Sequence, residues 1–168
     1  MEVGVGEALL RQAIQGRELD LAAERRRIVD RFAGDGILIF FNDPLPVPDA
    51  AKRAASMALS MQEQFQPLRA RWSKLGYELD LGIGIAQGFA TLGAFGYEGR
   101  VDYTAIGSVV NLAHRLCNKA SAGEVLIDRK VRAALDDTTK VDTLVPLTLK
   151  GFAQPVPAFR LSGRIRAE

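Results

Sequence analysis

Apolar residues recur along this chain in two rhythms, one near 3.6 residues and one of two, and the changes between them lay out a series of helices and strands. Residues 3–6 read as a short strand or a frayed end, and residues 7–27 as a helix with Leu9, Leu10, Ala13, Ile14 and Leu21 at apolar positions. Gly16 weakens the middle of that helix. Two apolar runs, 28–32 and 37–41, flank Ala33-Gly34-Asp35-Gly36, which predicts a β-hairpin with Asp35 at its tip. Pro44, Pro46 and Pro48 punctuate a loop over 42–48, after which Asp49 suits the N-cap of a helix to about Trp72. Ala54, Met57, Ala58, Met61, Phe65, Leu68 and Trp72 recur at helical spacing in it, a core-packing stripe, and Pro67 is expected to kink or restart the helix.

Residues 78–89 alternate as a strand, with Leu79, Leu81, Ile83 and Ile85 on one face, and 90–95 can return as its hairpin partner before a turn at 96–100. Ser108 can cap a helix to about Ala120, ended by Gly123. A strand over 124–127, a helix over 128–135 and two short strands around Lys150-Gly151-Phe152 and Pro155 complete the pattern. It predicts a layered α+β domain, with helices against one face of a largely antiparallel sheet.

Composition fits one domain able to bury a core: 168 residues, 48% hydrophobic and 25% charged. A net charge of +2 gives no argument for nucleic acid, and Arg25, Arg26 and Arg27 read as a solvated helix end. A single cysteine, Cys117, excludes an internal disulfide and suits the buried side of a helix. No apolar run is as long as a membrane span and the first residues lack a signal-peptide core, so the expected location is cytoplasmic.

Gly82, Gly84 and Gly88 superficially suggest a dinucleotide loop, but their spacing is wrong for one and they lie inside a strand pattern, where glycine permits close backbone approach. Asn111 and Arg115 stand at i and i+4, so both can reach a single bound group. His114 points to a different side of that helix and has no partner motif for metal or triad chemistry. Asp35 by itself serves a turn equally well.

Four blocks in order, FAGDGILIFF, the long helix after Pro48, YTAIGSVVNLAHRL with AGEVLI behind it, and LKGFAQPVPAFRL, resemble the class III adenylate/guanylate cyclase catalytic domain over about residues 28–161. The resemblance implies a ferredoxin-like βαββαβ-derived fold. It also implies a homodimer or heterodimer with another cyclase domain, and a reaction in which the 3′-hydroxyl of a nucleoside triphosphate attacks its own α-phosphorus and expels pyrophosphate. Asp35 then matches one of two metal-binding aspartates, for Mg²⁺ or Mn²⁺. Asn111 orients the ribose and Arg115 stabilises charge on the α-phosphate. Arg31 and Thr104 match the two base-selecting positions. Thr104 is the residue of a bacterial subgroup that uses ATP, which makes ATP the expected substrate ahead of GTP, whereas Arg31 replaces the usual Lys.

The family's first strand, with its own metal aspartate in a motif like F-x-D-I-x-G-F-T, has no counterpart here. About forty family positions are unmatched. Residues 1–27 read instead as a connector and helix, 28–161 as the cyclase domain and 162–168 as a tail. Either residues 1–6 replace the strand without its aspartate or the middle of the sheet is incomplete. Loss of metal-held charge stabilisation costs on the order of 10³-fold in rate, so impaired or partner-dependent cyclase activity is expected. The alternative is an inactive cyclase-like module for dimerisation or nucleotide sensing.

Overall fold

The computed structural model describes residues 2–6, 28–33, 36–43, 46–97 and 100–164. The helix expected over 7–27 and the side chain of Asp35 lie outside these residues.

Nine strands and three helices are described: β1 (Glu2–Gly6), β2 (Ile28–Ala33), β3 (Gly36–Phe40), α1 (Ala50–Ser73), β4 (Gly82–Ala86), β5 (Thr91–Tyr97), β6 (Arg100–Ile106), α2 (Ser108–Cys117), β7 (Val125–Asp128), α3 (Arg129–Ala134), β8 (Thr139–Thr143) and β9 (Ala158–Arg164). Seven strands form one sheet in the order β2-β3-β1-β4-β7-β9-β8, and β5 and β6 form a separate two-stranded sheet. Within the large sheet β4 and β7 run parallel and the other pairs are antiparallel. The α+β class expected from the pattern is the class observed.

The middle of the sheet is not incomplete. β1 lies between β3 and β4, with Val3 opposite both Ile39 and Ile85. Its sequence, EVGVG, contains no aspartate. The hairpin expected at FAGDG is present, since Ala33 pairs with Gly36 across the connection.

Helices cover both faces of the sheet rather than one. Ile37 and Ile39 of β3, Ile83 and Ile85 of β4, and Val125 and Ile127 of β7 pack with Ala54, Met57, Ala58, Met61 and Phe65 of α1 and with Val131 of α3. The alternate residues Ala86 and Leu126 pack instead with Val109, Ala113 and Leu116 of α2. This is the period-2 alternation of strands read on both faces. Each fully buried Ile, Leu or Phe in these layers contributes about 1.5–3 kcal/mol.

Several local expectations are corrected. Asp49 occupies the N-cap of α1 but in a left-handed conformation (φ 51°), and its side chain makes no capping hydrogen bond. α1 continues unbroken through Pro67. The first half of the 78–89 run is irregular, and β4 begins only at Gly82. β5 pairs with β6 and not with β4, because Thr91 to Tyr97 match Ile106 to Arg100 residue for residue. α2 begins at Ser108 with Gly107 as its N-cap and ends at Cys117, three residues before the expected end. β8 was not expected: TKVDT is a half-exposed edge strand with little apolar signal. Near the end of the chain one isolated bridge, Leu147 to Val156, and one strand, β9, stand where two strands were expected, and β9 extends into the expected tail.

Candidate active site

The site is organised by how α2 sits on the sheet. A Cβ on Gly84 would lie 2.3 Å from both the Ala113 carbonyl oxygen and the Cys117 nitrogen, and one on Gly82 would lie 3.1 Å from the Ala120 carbonyl oxygen. Glycine in β4 is therefore what lets the helix backbone rest on the strand backbone, as the strand pattern suggested. Val109, Ala113, Leu116 and Cys117 form the buried side of α2. The Cys117 thiol donates to the Gly82 carbonyl at 3.4 Å, which fits the structural role expected of it.

With that face fixed, Asn111 is exposed and Arg115, one turn on, is half-buried. Arg115 Nε is buried and has no hydrogen-bond partner among the described residues. Arg160 provides the contrast. Its Nη1 donates to Glu124 Oε1 at 2.9 Å and its Nε to Asp142 Oδ2 at 3.4 Å, so its guanidinium ties β9 to β8 and to the residue that precedes β7. Those contacts raise the pKa of Arg160 further, chiefly through Glu124. A buried guanidinium nitrogen left unpaired is costly and uncommon in native proteins, so Arg115 Nε has donor capacity to spare. Its place in the last turn of α2 favours positive charge.

β6 leads into α2 through Gly107, which puts Thr104 seven residues ahead of Asn111. Thr104 is buried and lies opposite Gly93 of β5. Arg31 lies on β2, opposite Leu38 and just after a register shift between Val29 and Arg31. β2 and β6 touch, so the strands carrying the two expected base-selecting positions are neighbours across the two sheets. His114 is exposed, away from the buried side of α2.

Two residues that the sequence pattern did not single out join these parts. Tyr103 of β6 donates its hydroxyl to Asp43 Oδ2 at 2.7 Å, and its ring stands 6.4 Å from that of Phe40. The hydrogen bond to Asp43 is the main reason the Tyr103 pKa lies above its ordinary value. Tyr103 stands beside Thr104 in the YTAIG block, a signal that could have marked it. Asp43 carries no comparable signal.

A cavity of about 620 Å³ between α1, β7 and β9 is lined by Gln62, Glu63 and Arg160 among others, and none of the expected site residues borders it. Among the described residues no group of three or more His, Cys, Asp or Glu could hold a metal ion. No described helix is long and apolar enough to cross a membrane.

Comparison with known proteins bears on the fold and the family. A family model described as the adenylate and guanylate cyclase catalytic domain matches residues 24–163. Adenylate cyclase 1 of Rhizobium meliloti (strain 1021) is 28% identical over 151 residues, which cover 88% of this chain and 23% of that protein. The chain thus spans about a quarter of the length of the curated relatives it matches. The crystal structure of the adenylyl cyclase CyaB from P. aeruginosa superposes with a TM-score of 0.83 at 29% identity, covering 98% of this chain and 95% of that one. A guanylyl cyclase crystal structure gives a TM-score of 0.78 at 25% identity, covering 97% of this chain and 91% of its own. With the YTAIGSVVNLAHRL block folded as a strand and helix seated on a glycine-bearing central strand, the chain belongs to the adenylate and guanylate cyclase catalytic domain family.

Proposed function

We propose that this domain converts ATP to cyclic AMP and pyrophosphate, and that it supplies one half of a composite site whose other half comes from a second cyclase domain, either another copy or a different chain. The carrying observation is the unspent donor of Arg115, one helical turn from an exposed Asn111. In the reaction the 3′-hydroxyl oxygen forms a bond to the α-phosphorus. The bond from that phosphorus to the β-bridging oxygen breaks, pyrophosphate leaves with the electron pair, and the hydroxyl proton passes to solvent. Asn111 orients the ribose, and the Arg115 guanidinium neutralises charge growing on the α-phosphate. Thr104 and Arg31 face the purine. Adenine is favoured by Thr104, whose hydroxyl both donates and accepts, and by the adenylate cyclases among the relatives.

Mg²⁺ or Mn²⁺, when bound, neutralises phosphate charge. Asp35 is the one residue of this chain assigned to it, one carboxylate where two are expected, so a homodimer would hold the metal pair poorly and a partner that supplies the metals would complete the site. The exposed apolar residues Phe89, Leu92 and Ile106 around the β5–β6 hairpin suit a partner surface. A second reading, an inactive module for dimerisation or nucleotide sensing, is favoured by the absence of aspartate from β1.

The two readings separate in one assay. Purified protein is incubated with ATP and Mn²⁺, alone and mixed with an intact homologue substituted at its own Asn and Arg positions. Cyclic AMP is expected at least in the mixture, and none in either tube rules out the enzyme. Arg115→Ala should then lower the rate by about 10²–10³-fold with an unchanged unfolding midpoint, and a fully active variant would remove Arg115 from the mechanism.

A further inference from the structure

The two positions taken to read the base stand on different sheets, Arg31 on β2 and Thr104 on β6, and among the described residues no ladder of backbone hydrogen bonds joins those sheets. Their separation is therefore set by side-chain contacts. Tyr103, adjacent to Thr104, reaches from β6 to the large sheet, where its hydroxyl meets Asp43 at 2.7 Å and its ring lies against Phe40, a residue only 1% exposed. Asp43 follows the end of β3 closely, and β3 pairs with β2 at the position of Arg31. A continuous path thus runs from Thr104 through Tyr103 and Asp43 into β3 and on to β2.

We propose that Asp43 and Tyr103 act as positioning residues, a clamp that holds the β5–β6 hairpin against β3 and β2 so that Thr104 and Arg31 meet the purine at one fixed separation. The inference rests on the cyclase reading above. Ring contact between Tyr103 and Phe40 is broad and tolerates sliding, whereas a hydrogen bond to a carboxylate is short and directional. The hydroxyl, not the ring, therefore sets the register of β6. Because the hydrogen bond is exposed, a modest effect of about 2- to 10-fold is expected.

Three variants test this. Tyr103→Phe keeps the ring and removes the donor, Asp43→Ala removes the acceptor, and Asp43→Asn keeps a neutral acceptor. Two readouts are taken: the ratio of kcat/KM for ATP to that for GTP in the Mn²⁺ mixture assay, and amide hydrogen exchange of β5 and β6. Tyr103→Phe and Asp43→Ala should each shift the ratio by about 2- to 10-fold, mainly through KM, with the double variant no worse than either single one. Asp43→Asn should stay within about 2-fold of the parent. Exchange should quicken in β5 and β6 and stay unchanged in β4 and β7. An unchanged ratio in variants that turn over normally overturns the clamp. If the parent neither binds nucleotide nor forms a cyclic product, the cyclase reading fails instead. Exchange then decides for the clamp alone: unaltered rates overturn it, and a local increase confined to β5 and β6 upholds it.

Discussion

At the scale of single residues, backbone proximity and burial set what can be changed. Gly84→Ala places a methyl group among main-chain atoms of α2 that have no free rotation to move aside. A loss of about 2–3 kcal/mol in unfolding free energy is expected by urea titration, together with reduced cyclase activity as α2 is displaced. Gly123→Ala meets no atom within 4 Å and only has to adopt φ near 77°, so about 1–2 kcal/mol is expected there. Asp128 caps α3, accepting from the Val131 N–H at 2.8 Å, and is buried. Burial raises its pKa above 3.8, against the opposing pull of the backbone donors. The neutral acid is thus favoured by folding, so its stabilising contribution is complete below pH 3.8 and is lost as pH rises through the raised value. Asp128→Asn keeps a capping oxygen without the charge. Urea titrations should find that variant at least as stable as the parent at pH 7, with the advantage fading by about pH 3. A variant less stable than the parent at pH 7 would contradict the assignment.

At the scale of elements, what was legible in the sequence is what local chemistry decides. The FAGDG hairpin, α1 and the strand and helix over 124–135 were readable because turn residues and apolar spacing specify them within a few positions. The i, i+4 placement of Asn111 and Arg115 was equally local, and the glycines of β4 announced a close approach. Pairing was not legible. β5 is adjacent in sequence to both β4 and β6, and only tertiary geometry assigns it to β6. The Tyr103–Asp43 contact joins residues sixty positions apart and leaves no trace in either rhythm. α1 shows propensity overridden by packing: Pro67 lies inside it on an exposed position, while Met61 and Phe65 of the same helix anchor it to the sheet. Pro67→Ala restores a backbone donor at no cost in buried area. Calorimetry should show a rise of a few degrees in the unfolding midpoint, about 1–2 kcal/mol, and a fall would mean that the proline relieves some other strain.

At the scale of the whole molecule, the sheet is complete while the catalytic set is proposed as half of one. Phe89 is 97% exposed and Ile106 52%, both at the open end of the β5–β6 hairpin. The paired substitution Phe89→Asp with Ile106→Asp should weaken self-association about tenfold or more in sedimentation, and should flatten the rise of specific activity with protein concentration. Unchanged sedimentation would place the partner surface elsewhere. The position of β1 also bears on how the chain reaches its native state. β2 and β3 can zip together as soon as their hairpin turns, but β1 has to wait for β4, a whole helix later in the chain, before both of its edges are paired. β1 can pair with β3 early, but its other edge stays open until β4 is made, and such an open edge is where aggregation during synthesis would compete with folding.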